Sequence, residues 1–487
     1  MALNDRDAIM ITCFRKISLN IANIVLKYFK LEDLKDDLFF FFSNEYWDLY
    51  IEFTDNKIGL LQMGALNLPR KSILIRLAIF WFGLFRSLFR YITCPQTQVD
   101  LDPSLPNFLI LSGSDNEYKS TKFLENKINS NLIYCGIVKT KGCAPVRAYL
   151  IGALFMPLLL FRFLFCTAEQ KSLHKYLSDQ FLLVMGWRAI QRAIYRNQNI
   201  TSVVYSNHMS PVSRSGVDLA RKYSNALVVY IEHTPILKYW PIIQADIFFL
   251  SGQFSLDNMM KRSDIKGKDI YLLGSPKNDL LKISKKRKAD GQIGLCVSTV
   301  DDIGVVKNLI SEILSYDDST KLIVRPHPSF RNFMAQLAIE HPRLFIRKPI
   351  DESVQEYLSS IDRLLVNDSG IFFECILAGV QLVRVKLTCV SLNNYGVPEQ
   401  FSSVYDKSIS EVISSVFSND HPVVDQEQVK LFFGNVGTKF DNNASEIVSM
   451  VISSYVDFSS SVLEKRLINS FFEIKYDDNR IYNLGVC

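Results

Sequence analysis

Lys321-Leu-Ile-Val-Arg-Pro-His-Pro-Ser329 and, further along, Leu364-Leu-Val-Asn-Asp-Ser-Gly-Ile-Phe-Phe-Glu374 share one grammar. A short apolar, β-branched run predicts a buried strand, and turn residues follow at its carboxyl end. In open parallel sheets ligands bind in the crevice outside those strand ends. A His after one strand and a Ser-Gly opening a helix after the next predict a pocket for a phosphorylated ligand.

The pattern extends outward in both directions. Upstream, strands are expected at 107–112, 132–138, 202–205, 226–231, 246–250 and 269–273. Their carboxyl ends carry Gly113-Ser-Asp-Asn-Glu117, Ser206-Asn-His-Met-Ser-Pro211, Glu232-His-Thr-Pro235 and Gly274-Ser-Pro-Lys-Asn-Asp279. After a basic segment at 282–290, a second series follows at 293–297, 321–324, 344–346, 363–366 and 381–385. Helical patterns separate most of these runs, which predicts an α/β protein with two doubly wound, Rossmann-like parallel sheets. The expected division is 1–281, then 290–440, then a helical tail over 441–487.

Composition narrows the setting. With 48% hydrophobic and 22% charged residues, the 487-residue chain should fold as a globular protein. A net charge of +5 over this length does not favour a nucleic-acid partner. Nine scattered cysteines without a Cys-x-x-Cys pair suggest reduced thiols of the cytoplasm rather than a disulfide or zinc framework. The first residues lack the basic start and continuous apolar core of a signal peptide. Two apolar inserts, near 70–95 and 145–180, are interrupted by Arg76, Arg86, Arg90, Pro157 and Arg162. Arginine at mid-bilayer is costly, so helices lying in the membrane interface are expected rather than spans.

Candidate site residues follow from the strand ends. On the second sheet they are Arg325, His327 and Pro328, then Asp368, Ser369, Gly370 and Glu374. Imidazole and a helix start both suit phosphate, and Glu374, about one turn in, is placed for ribose hydroxyls. On the first sheet His233, Glu232 and Asp115 are candidate general bases, with Glu117 beside Asp115. His208, Ser275 and Lys277 complete the expected cleft. We find no Walker A loop, no Gly-x-Gly-x-x-Gly after a strand, and no His-Glu-x-x-His or Asp-x-Asp pattern at a strand end. A reaction needing no metal and no cofactor is therefore expected.

The order of these motifs resembles a family: the GT-B transferases that build bacterial surface polymers from cytidine-activated donors. Glu232-His-Thr-Pro-Ile-Leu-Lys238 is similar to that family's His-Gly-Thr-Pro strand end. Ala245-Asp246, Gly274-Ser-Pro-Lys-Asn-Asp279, His327-Pro328 and Ser369-Gly370 match its later motifs in order. The resemblance spans roughly 200–390 and implies two domains facing across a cleft, in which a terminal helix often returns to the first. It implies that 1–281 binds the acceptor and 290–440 the nucleotide donor, with His327 and Ser369 on the CMP phosphate. Thr234 stands where the family has Gly, and Asn367-Asp-Ser-Gly where it has Asp-Tyr-Ser-Ser. These departures turn the expectation from glycerol phosphate, as in CDP-polyol phosphotransferases, toward a CMP-activated sugar acid. The expected donors are nonulosonic acids (sialic, pseudaminic, legionaminic) or Kdo. The expected acceptor is a capsule, lipopolysaccharide or O-antigen glycan, free or lipid-linked, with the enzyme attached peripherally to the cytoplasmic membrane. Three alternatives stay open, the first being a CDP-polyol phosphotransferase of teichoic-acid type. Asn367-Asp-Ser-Gly is also similar to the helix start of the non-hydrolysing UDP-N-acetylglucosamine 2-epimerases. A membrane-bound scaffold with a degenerate nucleotide fold is the non-enzymatic reading.

Overall fold

The computed structural model describes residues 31–42, 101–136, 142–143, 151–152, 174–208, 210–236, 242–261, 265, 267–279, 281, 292–298, 301–328, 330, 333–388, 407–418, 426–438, 441–456, 471–476 and 479–484. The insert near 70–95 and the basic segment 282–290 lie outside the described residues, as does the insert near 145–180 except for 151–152 and 174–180. Among the described residues no helix is long and apolar enough to cross a membrane.

The strands gather into two sheets. In the first half they are β1 (Asn107–Ser112), β2 (Asn131–Gly136), β3 (Gly142–Cys143), β4 (Ile200–Tyr205), β5 (Leu227–Ile231), β6 (Ile247–Leu250) and β7 (Asp269–Leu272). The second half contributes β8 (Ile293–Val297), β9 (Leu322–Pro326), β10 (Leu344–Ile346), β11 (Arg363–Val366) and β12 (Gln381–Arg384). The tail adds β13 (Phe471–Tyr476) and β14 (Asn479–Leu484). Among the described residues, one sheet runs β13-β14-β7-β6-β5-β4-β1-β2-β3 and the other β10-β9-β8-β11-β12. All pairings are parallel except β13 with β14. Phe108, Leu109, Ile110 and Leu111 are fully buried, as a parallel strand covered on both faces requires.

The helices that matter for the site are α1 (Leu31–Phe42), α2 (Asp115–Thr121), α3 (Leu124–Lys127), α4 (His174–Asn197), α5 (Pro211–Tyr223) and α6 (Gln253–Met260). In the second half they are α7 (Ile303–Tyr316), α8 (Phe333–Leu337), α9 (Val354–Ser359), α10 (Ile371–Leu377), α11 (Ile409–Phe417), α12 (Gln426–Phe432) and α13 (Ala444–Val456). At the back of the first sheet, the enclosed Arg188 of α4 pairs with Asp37 at 2.5 Å and with Asp36 and Asp218 at 2.7 Å. That cluster ties α1 to α4 and α5.

The expected helical tail holds over α13 but not over 471–484. Phe471-Phe-Glu-Ile-Lys-Tyr476 alternates from Phe472 on, and Asp477-Asp478 separates it from Asn479. Period two wins there, and the segment pairs as strands, with β14 alongside β7.

The halves meet through an aromatic joint. Phe254 of α6 lies 5.9 Å from Phe373 of α10 and 5.1 Å from Phe432 of α12, ring centre to ring centre. Backbones touch beside it. A Cβ on Gly252 would stand 2.7 Å from the Leu431 carbonyl oxygen, and Gly434 N–H donates to the Ser251 carbonyl at 2.7 Å. From there α13 crosses to the first sheet, burying Ala444, Ile447, Val448, Val451 and Ile452 among residues such as Phe108, Ile110 and Leu273. Its start is capped by Asp279, which accepts from the Ala444 and Ser445 amides at 2.8 Å. Truncating Phe254 to Ala should cost about 3–5 kcal/mol. Denaturant unfolding should then show the halves melting apart, whereas an unchanged midpoint would contradict the joint.

Candidate functional site

Leaving aside the tail strands β13 and β14, each sheet reverses its strand order once. In the first sheet the reversal lies at β1 and β4, and in the second at β8 and β11. Splayed loops at such switch points leave a crevice beyond the carboxyl ends. The polar residues cluster there on both sheets.

At the first crevice Ser114 caps α2, and Glu117, three residues on, folds back. Glu117 accepts from the Gly113 amide at 2.5 Å, the Ser114 hydroxyl at 2.9 Å and Asn207 Nδ2 at 3.1 Å. The carboxylate is buried, which raises its pKa even against these three donors. Asp115, the expected base at this strand end, does not hold that place. It lies exposed in the first turn of α2, and the enclosed carboxylate is Glu117. The Ser114-x-x-Glu117 capping-box pattern was the signal for it. Asn207 carried no such signal.

His233 follows β5. Its Nδ1 stands 2.6 Å from the Ser206 carbonyl, which can only accept. The Nδ1 proton is thereby fixed, and Nε2 is the basic nitrogen of the neutral ring. Burial, and then the Lys277 cation, bring the His233 pKa down to about 4. Glu232 corrects a second expectation. It is 1% exposed, and its carboxylate accepts from the Ser251 amide and, at 2.5 Å, from the Ser255 hydroxyl. It braces the ends of β5 and β6 rather than facing an acceptor. The Ser275 hydroxyl, also buried, donates to the Glu232 carbonyl at 3.2 Å. His208 is buried with its ring edge-on to Tyr230, 6.3 Å between centres, so it packs inside the domain rather than lining a cleft.

On the second sheet His327 is exposed after β9, with its amide on the Val297 carbonyl at 2.7 Å. Partial desolvation lowers its pKa. Pro328 beside it is exposed. Arg325 departs from its expected phosphate role. It is buried over the Tyr357 ring and bound to Glu352 through the carboxylate at 3.3 Å and the carbonyl at 2.8 Å. Asp368 likewise turns inward, 3.4 Å from Arg384, both side chains 2% exposed. Ser369 and Gly370 are half-buried at the start of α10, which no side chain caps. Asp301, 8% exposed, ties β8 to β11. It accepts from the Ser298 amide at 2.6 Å and from Asn367 Nδ2 at 2.7 Å, and burial pushes its pKa up to about 6. Beyond β10 a cavity of about 560 Å³ opens between Ile346, Arg347, Lys348, Asp351, Glu352 and Glu356, a size that suits a nucleoside.

One contact joins the two crevices. Lys277, in the helical turn Pro276–Asn278 after β7, places Nζ 3.0 Å from Glu374 Oε1 in the first turn of α10. Both side chains are partly solvated, so the pair contributes about 1 kcal/mol or less. Among the described residues no three His, Cys, Asp or Glu side chains gather as a metal site.

No protein-family profile matches this sequence, and no curated protein does. Solved structures of similar architecture do. A UDP-GlcNAc 2-epimerase from Neisseria meningitidis bound to UDP-GlcNAc is 13% identical, covering 71% of this chain and 99% of its own, with a TM-score of 0.47. The wall teichoic acid polymerase TagF is 10% identical over 79% and 99%, at 0.39. MurG of Acinetobacter baumannii is 12% identical over 72% and 99%, at 0.40. Similarity at this level carries no statement about what this chain binds.

The Glu232 carboxyl gives a pH test. Its pKa rises in the folded protein from an ordinary value near 4.5 to about 7. A raised carboxyl means the folded state holds the proton longer, so this group favours folding below about pH 4.5 and loses that contribution as pH climbs through 7. Glu232→Gln should remove the loss, gaining on the order of 3 kcal/mol over wild type between pH 5 and 8 in denaturant titrations. A pH-independent difference would contradict the assigned burial.

Proposed function

We propose that the protein is a GT-B-type glycosyltransferase that moves a sugar acid from a CMP-activated donor to a glycan acceptor at the cytoplasmic membrane surface. The single observation that supports it most is the Lys277–Glu374 contact, which brings a strand end of the first sheet against the α10 start of the second. A two-substrate cleft needs such an arrangement, with a base on one wall and a phosphate site on the other.

In this reading the donor phosphate meets the start of α10 at Ser369 and Gly370, with His327 alongside. The nucleoside extends toward the cavity beyond β10, and Glu374 faces the ribose hydroxyls. His233 Nε2 accepts the acceptor hydroxyl's proton while that oxygen forms a bond to the anomeric carbon. The bond from that carbon to the phosphate oxygen breaks, and CMP leaves with the electron pair. His233 is unprotonated at neutral pH, as a proton acceptor must be. The cytidine assignment is carried by the ordered motifs from Glu232 to Gly370. Membrane attachment is carried by the arginine-interrupted apolar inserts.

Calorimetry with CMP, CDP, UDP and UDP-N-acetylglucosamine tests the donor class. CMP or CDP should bind; binding of uridine nucleotides alone would replace the transferase with the epimerase-like reading. His327→Ala should weaken CMP binding about tenfold, a change of ~1.4 kcal/mol. His233→Ala should bind CMP normally and lose about 10²–10⁴-fold in turnover. Full turnover in that variant would remove His233 from the reaction.

A further inference from the structure

The transfer step just described makes no use of Lys277. We propose that Lys277 reads the donor's negative charge: Glu374 holds its ammonium in reserve, and the phosphate of the bound nucleotide takes it over. This inference deepens the proposed function and rests on it.

The backbone around Lys277 is fixed on every side. Gly274, at φ +82°, has the Asn435 side chain where a Cβ would stand, so only glycine fits. The Ser275 hydroxyl is tied to the Glu232 carbonyl, and Asn278 N–H donates to the Ser275 carbonyl at 2.8 Å. Pro276 restricts φ at the turn's first position. Asp279 grips the amides that open α13. The moving part is therefore the four-carbon lysine stem, ending in a compact cation with three rotatable donors.

Its present partner suits exchange. The Lys277 and Glu374 side chains are 23% and 15% exposed, so water already competes for the pair. The Arg384–Asp368 pair beside the same helix start is 2% exposed on both sides and has no such access. Glu374 belongs to the first turn of α10, at the end where Ser369 and Gly370 lie. A phosphate there comes within reach of a lysine already drawn to that end of the helix; the donor's phosphodiester carries one negative charge and the departing CMP two, and two charges attract the ammonium more than one carboxylate does. The exchange also reaches His233. Burial is the larger cause of its low pKa and the Lys277 cation the next. A donor that adds negative charge beside Lys277 offsets that second cause and makes His233 a stronger base when the substrate is in place.

The test uses the full chain, with cytidine and CMP as probes, in calorimetry of wild type, Lys277→Met and Lys277→Arg. Thermal midpoints verify folding. Lys277→Met should weaken CMP about 10–100-fold while cytidine changes less than about twofold, and Lys277→Arg should restore most of the CMP affinity. Glu374→Gln releases the ammonium and should tighten binding of inorganic phosphate several-fold. Unchanged CMP affinity in Lys277→Met, equal losses for both probes, or unaltered phosphate binding in Glu374→Gln overturns the inference and leaves the proposed function standing. Failure of wild type to bind either probe overturns the proposed function, and this inference with it.

Discussion

Phe254 belongs to the first half by sequence and to the core of the second by packing. Its ring packs at a tilt against Phe373 and Phe432, and the backbones of Gly252 and Gly434 close beside it. A joint this tight leaves few ways to set one sheet against the other, because well-packed interiors resist small displacements. The consequence runs one residue further. Phe373 is held in the joint, and the next residue of α10, Glu374, meets Lys277. The helix start at Ser369–Gly370 is thus aimed at the strand ends of the first sheet by an aromatic contact that is itself no part of the cleft.

Around that seam the charged groups divide by role. Glu117, Glu232 and Asp301 are enclosed, each surrounded by amide, hydroxyl or side-chain amide donors from neighbouring strands. Burial raises the pKa of all three. They stiffen the carboxyl ends of β1, β4, β5, β6, β8 and β11 and present little to solvent. His233, Lys277 and His327 remain partly or fully exposed and carry the exchangeable protons and charge of the site. Buried carboxylates brace the strand ends, and the nitrogen groups there keep access to solvent.

Much of the architecture was legible because buried parallel strands are written as continuous apolar runs. Ile293–Val297, the run at 321–324 and Arg363–Val366 could be marked from sequence alone, with polar turns at their ends. The tail was not legible. Phe471 and Phe472 extend an apolar stretch that fits a helix equally well, and pairing with β7 comes from far along the chain. At the site, strand ends could be located but the direction of each side chain could not. Arg325 and His327 are two residues apart, yet the first is captured by Glu352 and the second is exposed. Asp115 and Glu117 are likewise two apart, and helix geometry sends only the latter back onto the strand end. The contact of Lys277 with Glu374 is tertiary, and neither motif announces it.

In the proposed function one phosphorylated nucleotide sits between the two strand-end crevices. A crystal structure of the full chain soaked with CMP tests it directly. The phosphate should lie within hydrogen-bond distance of the Ser369 and Gly370 amides and of Lys277, with the base toward the cavity beyond β10. CMP bound away from the α10 start, or with Lys277 still on Glu374, would contradict it.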